Sequence, residues 1–131
     1  MGEKVLVIDD EPDVLTYITS ILKKNGYNYV TASDGVEGME KAKAENPDLI
    51  TLDLLMPERT GIKMYRELKK DEDLKNIPVI MVTGIASQAS HFADFKKFIY
   101  ERKIPGPEGY IEKPFKPEDL LTKIKAATAE K

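Results

Sequence analysis

Five positions carry polar chemistry where short apolar runs end. Asp9-Asp10 follows Lys4-Val5-Leu6-Val7-Ile8, and Asp53 follows Leu49-Ile50-Thr51-Leu52. Thr83 closes Ile77-Pro78-Val79-Ile80-Met81-Val82, and Lys113 comes just after Tyr110-Ile111. Two carboxylates roughly 4 Å apart repel by about 4 kcal/mol at an effective dielectric of about 20, so three at one edge require a cation or a raised pKa. Oxygen ligands without imidazole or thiolate suit a hard ion, and Mg²⁺, which keeps several waters, fits best. A divalent cation together with Lys113 would balance the three acids. A carboxylate is an established nucleophile in phosphoryl transfer. If Asp53 took a phosphoryl group, it would exchange its own charge for about −2 and gain acceptor oxygens. Thr83, nearby backbone N–H groups and Lys113 are the donors for those oxygens, and a metal would orient and neutralise the incoming phosphate.

Each residue also has a plainer reading. Asp9-Asp10 could cap the following helix, since Asp is a favoured N-cap, although a cap explains one acid and leaves the second. Asp53 could be a turn residue, Thr83 an ordinary strand residue, Lys113 a solvated cation and Tyr110 core packing. His91, the sole histidine, has no partner in the sequence and reads as a surface residue. Phe92, Phe95 and Phe98 read as core and local packing, with a partner surface as the alternative.

The elements that would bring the chemistry together alternate strictly. The strands read as 4–8, 28–32, 49–53, 77–82 and 110–111, continuous and β-rich as expected of strands covered on both faces. Between them lie helical patterns. The first has Pro12 in its opening turn, Val14, Leu15, Ile18, Ile21 and Leu22 on one face, and an Asn25-Gly26 stop. The second opens at Ser33-Asp34-Gly35, where Asp34 and Glu37 suit a capping box; Val36, Met39 and Ala42 form its thin apolar stripe, and Asn46-Pro47 ends it. The third carries Ile62, Met64, Tyr65 and Leu68 inward, with Lys69–Asn76 read as a loop. The fourth runs to about Arg102 with Ala89, Phe92, Phe95 (or Phe98) and Ile99 inward. A Pro-Gly-Pro connection over 104–109 follows. The last helix begins at Lys116-Pro117 and buries Leu120, Leu121, Ile124 and Ala127. Five β-α repeats predict an α/β fold: a doubly wound five-stranded parallel sheet of order 2-1-3-4-5, flavodoxin-like, with five helices. Ligands in such sheets bind at the carboxyl ends of the strands near the switch point between strands 1 and 3. That edge is where Asp9, Asp10, Asp53, Thr83 and Lys113 fall.

Length and composition set the frame. The 131 residues fit one domain, expected over 1–131 with a core from about 4 to 128. The chain has 23 acidic and 20 basic residues and a net charge of −3. Its lysines are scattered, so direct nucleic-acid binding has no electrostatic footprint. Cysteine is absent, which excludes disulfides and thiolate metal sites. No run reaches membrane-spanning length and no signal peptide precedes the first strand, so no membrane insertion and a soluble, cytoplasmic domain are expected.

The set Asp9-Asp10, Asp53 with Met56-Pro57 and Gly61, Thr83, and Lys113-Pro114 resembles the receiver domain of two-component response regulators, and of these a stand-alone, chemotaxis-regulator-like member. The likeness runs from about Lys4 to Thr128. It implies that Asp53 is the phosphoacceptor, taking its phosphoryl group from a sensor histidine kinase or a histidine phosphotransfer protein. It implies that Asp10, Asp53 and the backbone carbonyl of Leu55 bind Mg²⁺, with Asp9 acting through water. It makes Thr83 and Tyr110 a switch pair and Lys113 a phosphoryl contact. Pro57 and Gly61 become structural, and the Lys113–Pro114 bond becomes cis. The resemblance further implies a phosphorelay signalling domain that assists its own phosphorylation and dephosphorylation. Its output would be a remodelled face of fourth helix, fifth strand and fifth helix, read by a downstream protein, with a phosphorylation-dependent dimer as one option. Two departures stand out. Segment 85–109 is several residues longer than in typical receivers and falls in that output face. Leu55 and Ile85, at positions that in the family modulate attack of water on the acyl phosphate, are apolar, so slow self-dephosphorylation is expected.

Rival readings differ at single positions. A Mg²⁺-dependent phosphatase using an aspartyl phosphate would carry a second acid two residues past Asp53, where Leu55 stands. A flavin-binding module would need a hydroxyl- and glycine-rich loop after the first strand, where Asp9-Asp10-Glu11 would repel phosphate. A receiver fold that no longer takes phosphate fits poorly with the intact acid set. Where the chain ends, after the fifth helix, suits either a stand-alone regulator acting by protein contact or one part of a longer protein.

Overall fold

Aliphatic and β-branched runs form five strands: β1 (Lys4–Ile8), β2 (Asn28–Ala32), β3 (Leu49–Asp53), β4 (Val79–Thr83) and β5 (Gly109–Glu112). They alternate with α1 (Pro12–Lys24), α2 (Gly35–Glu45), α3 (Thr60–Lys70), α4 (Ala89–Glu101) and α5 (Pro117–Thr128). The computed structural model describes residues 2–54, 56, 60–84 and 89–129, with backbone alone at Thr60 and residues 89–92.

All strand pairs are parallel and the order is β2-β1-β3-β4-β5, the doubly wound arrangement expected. The two-residue period of a strand divides the core into two layers. Val5 and Val7 of β1, Leu49 of β3, Ile80 and Val82 of β4 and Ile111 of β5 pack with α1 and α5. Leu6, Ile8, Ile50, Leu52, Val79 and Met81 pack on the other face with Met64, Tyr65 and Leu68 of α3 and Phe95 and Ile99 of α4. Every residue of β3 and β4 is buried, which explains why those two runs are continuous rather than alternating.

Local details differ from the sequence pattern where context overrides it. Glu11 occupies the N-cap of α1 with no side-chain cap bond of its own, and Asp9 Oδ1 takes the N–H of that residue. Asp34 caps α2 through the Glu37 N–H at 2.8 Å, but Glu37 returns to the amide of Ser33 rather than of Asp34. Val36 is 70% exposed, and α2 instead buries Gly35, Gly38 and Ala42. Glycines there admit α3 closely: a Cβ at Gly38 would meet Met64 Sδ at 2.7 Å. α3 continues to Lys70, beyond the expected start of a loop at Lys69, because Leu68 and the half-buried Lys69 still lie against the core. β4 begins at Val79: the Ile77 N–H turns back to Leu74 O at 3.0 Å and Pro78 has no N–H to give, although its carbonyl still accepts the Ile50 N–H at 3.0 Å; β5 extends to Glu112. In α4, Phe95 is fully buried and Phe98 half-buried. The expectations for the side chains of His91 and Phe92 lie outside the described residues.

Candidate functional site

The strand register gathers the polar residues. Asp9 lies one residue past β1 and is tied to β2 by its N–H on the Ala32 carbonyl at 3.1 Å. Asp53 ends β3 opposite Val82, and the Leu54 N–H continues that ladder to Val82 O at 2.9 Å. Lys113 extends β5, its N–H donating to Thr83 O at 2.9 Å. Asp9, Asp53 and Lys113 are therefore in phase with Val7, Leu49 and Ile111, the layer facing α1 and α5. Thr83 is in phase with Met81, and Tyr110 packs on that same opposite layer.

Carboxylate oxygens of Asp9, Asp10 and Asp53 all lie within 4.8 Å of one another. Asp9 is 1% and Asp53 3% exposed, while Asp10 opens to solvent. The Lys113 ammonium stands 3.0 Å from Asp9 Oδ2, 3.6 Å from Asp53 Oδ2 and 3.6 Å from Glu11 Oε1. Among the described residues Asp9 Oδ2 has no well-aligned hydrogen bond, and the ion pair with Lys113 compensates it. Asp9 Oδ1 accepts the Glu11 N–H at 2.9 Å. Burial pushes the Asp9 carboxyl above its ordinary range, opposed by the Glu11 N–H and by Lys113 and aided by Asp10. Burial also opposes the Lys113 charge, but Asp53, Asp9 and Glu11 outweigh it and hold the ammonium above its usual range. Among the described residues, one lysine stands against the carboxylates of Asp9, Asp53 and Glu11. The candidate ligands among the described residues are carboxylate oxygens, donors that suit a hard cation that keeps part of its water.

Thr83 is 8% exposed, and its hydroxyl makes a long 3.4 Å bond to the Ile111 carbonyl. Tyr110 is half-buried in β5, and the Lys113–Pro114 peptide is cis. Gly61, in the first turn of α3, lies directly on the backbone carbonyls of Asp53 and Leu54. A Cβ there would stand 2.8 Å from Leu54 O and closer still to Asp53 O. Leu55, Pro57 and Ile85 lie outside the described residues. Sequence reasoning missed Glu11 as a Lys113 partner, although it adjoins the two acids. It also missed Tyr17, whose hydroxyl donates to Phe115 O at 2.7 Å and whose ring lies 5.7 Å from that of Phe115, steadying the turn after Lys113-Pro114. No sequence signal links positions 98 residues apart.

The sheet order and this edge define a CheY-like, doubly wound α/β domain with an acidic site at its switch point. The family model of the response regulator receiver domain matches residues 5–125, and the chain belongs to that family. It is 30% identical over 129 residues to Protein Rrf1 of Nitratidesulfovibrio vulgaris, covering 98% of this chain and 85% of that one. It is 34% identical to the alkaline phosphatase synthesis transcriptional regulatory protein PhoP of Bacillus subtilis, covering 96% of this chain but only 48% of that protein. The chain thus spans about half the length of that relative. The crystal structure of a CheY-like response regulator receiver domain protein from Methanospirillum hungatei superposes with a TM-score of 0.83 at 30% identity, covering 99% of this chain and 96% of that one. Among the described residues, no helix is long and apolar enough to cross a membrane.

Proposed function

We propose that the chain acts as one receiver unit in which Asp53 accepts a phosphoryl group from a phosphohistidine of a sensor kinase or phosphotransfer protein. The observation that carries this reading is the Asp9–Asp10–Asp53 cluster, within 4.8 Å and flanked by Lys113. Asp10, Asp53 and the Leu55 carbonyl would hold Mg²⁺, with Asp9 acting through water. When bound, the metal supplies charge neutralisation and orientation of the transferring phosphate.

The chain's own residues account for the rest. An Asp53 carboxylate oxygen forms the new bond to phosphorus while the P–N bond to the donor histidine breaks, its electron pair leaving with the imidazole. Lys113 now stands 3.6 Å from Asp53 and donates to the arriving oxygens. The Thr83 hydroxyl, held by a long 3.4 Å bond to Ile111 O, exchanges that weak partner for a phosphoryl oxygen. Its movement makes room on the α3/α4 side of the sheet, where Tyr110 already packs, and the α4–β5–α5 face changes shape for a downstream protein. The apolar Leu55 and Ile85 offer attacking water no hydrogen bond, so the acyl phosphate outlasts seconds. The domain is a signalling switch rather than a turnover enzyme, works in the cytoplasm, and signals by protein contact, including a phosphorylation-dependent dimer.

The test is labelling by acetyl phosphate with Mg²⁺, followed by intact mass. Wild type gains one phosphoryl group and Asp53→Asn gains none; equal labelling of both sinks the proposal.

A further inference from the structure

Tyr65 of α3 is the largest fully buried side chain among the described residues. A buried phenol needs a partner, and its hydroxyl donates to the carbonyl of Pro105, 40 residues on, in the connection between α4 and β5. Its ring meets Phe95 of α4 edge-on at 5.4 Å, with the Lys69 ammonium 5.4 Å from its centroid. The same connection is fastened again by Glu108, which accepts the Val79 N–H at 2.7 Å and donates its own N–H to Val79 O at 2.9 Å. It opens at Lys103, whose φ of 55° is the left-handed value that favours glycine. Residues 102–108 therefore form a strap with a strained start and two clasps, one on α3 and one on β4.

One helical turn before Tyr65, on the same face of α3, is Gly61. Its backbone rests on the carbonyls of Asp53 and Leu54. A single turn of helix thus touches the peptide of Asp53 at one end and the strap at the other. Gly61 and Tyr65 are one turn apart on the same helix, so a shift of the Asp53 peptide that moves Gly61 bears on the phenol as well. The strap leads directly into Tyr110, which packs in the same layer as Tyr65.

We infer that Tyr65 is a positioning residue of the switch: α3, seated through Gly61 on the Asp53 backbone, carries phosphorylation of Asp53 to the 102–108 strap through the Tyr65 hydroxyl, by a route that does not pass through the Thr83 hydroxyl. This rests on Asp53 being the phosphoacceptor. Such coupling requires the strap to hold two arrangements, clasped on α3 and released, whose balance phosphorylation shifts. Phosphorylation biases its clasp on α3 as the Thr83–Tyr110 pair biases β5 beyond it.

The test compares amide hydrogen exchange at Ile104 and Glu108 before and after acetyl-phosphate labelling with Mg²⁺, at equal labelled fraction. Those amides donate to Ile99 O and Val79 O and so report strap closure. In wild type the exchange rates change about fivefold or more on labelling, the lower end of ordinary coupling. In Thr83→Ala the change persists. In Tyr65→Phe, which keeps the ring and removes the hydroxyl, basal exchange is faster and labelling no longer alters it. A Tyr65→Phe strap that responds to labelling as wild type does overturns the inference, as does loss of the response in Thr83→Ala. Should Tyr65→Phe fold poorly, 3-fluorotyrosine placed at position 65 reads the same coupling: its fluorine resonance shifts on labelling both in the otherwise wild-type chain and in the Thr83→Ala variant, and a resonance that stays fixed overturns the route. Wild type that takes no label at all contradicts the Asp53 reading itself, a distinct result.

Discussion

Gly61→Ala sets packing against helix propensity, and the two give opposite signs. Propensity alone favours alanine by up to about 1 kcal/mol in a helix interior, and less in the first turn. The contacts say otherwise. The new Cβ would stand 2.8 Å from Leu54 O and 3.2 Å from Leu54 C, and nearer still to Asp53 O. Ordinary C···O contacts begin at about 3.3 Å. All three atoms are backbone of the strand end, so relief requires α3 or the Asp53–Leu54 peptide to move. Overpacking of this kind costs about 1–3 kcal/mol, which leaves a net loss of about 1–2 kcal/mol. With a urea slope of about 1–3 kcal/mol per molar, the midpoint falls by roughly 0.3–2 M with an unchanged slope. Labelling of Asp53 falls as well, because the displaced peptide is its own. Gly38→Ala is the matched control: its Cβ meets the flexible ends of Met64 and Ile8, which can turn aside, so its cost is smaller. A Gly61→Ala protein as stable as wild type, or more so, refutes the reasoning.

Thr51 carries a buried hydroxyl without a hydrogen-bond partner among the described residues. Thr51→Val replaces it with a methyl group and raises stability by about 1 kcal/mol in urea melts; a loss would show that the hydroxyl is satisfied. Alkaline pH tests the buried phenols. Burial, the largest cause, raises Tyr65 above the ordinary 10.0, helped by Glu108 and Tyr110, and burial likewise raises Tyr110 and Tyr27. The folded state then holds protons that the unfolded chain releases, so stability is undiminished below pH 10 and falls as pH rises above it. Wild type exceeds Tyr65→Phe by about 1 kcal/mol at pH 7–9 through the Pro105 hydrogen bond, and that margin shrinks above pH 10. A margin that grows there contradicts the assignment.

The site was legible because its residues sit at strand ends, where topology alone decides who meets whom. Strand period and register then fix that Asp9, Asp53 and Lys113 share one layer while Thr83 and Tyr110 share the other. What the sequence hid is non-local or shared between elements. Tyr65 reads as one more apolar position on α3, and its polar bond reaches a carbonyl 40 residues away that any residue could supply. Val36 fits a helical stripe, yet the close approach of α3 at Gly38 moves the buried face of α2 onto its small residues and leaves Val36 outside. Glu11 reads as a loop acid, and only the fold brings Lys113 to it from the far side of the sheet.

The central claim is that Asp53, and not its two acidic neighbours, takes the phosphoryl group. Borohydride reduction of the labelled protein, followed by tryptic mapping, reads this directly, since an acyl phosphate is reduced at its own carbon. The reduced residue is expected at Asp53, within the peptide Ala44–Arg59. Reduction at Asp9 or Asp10, in the peptide Val5–Lys23, or a label that resists reduction, would contradict it.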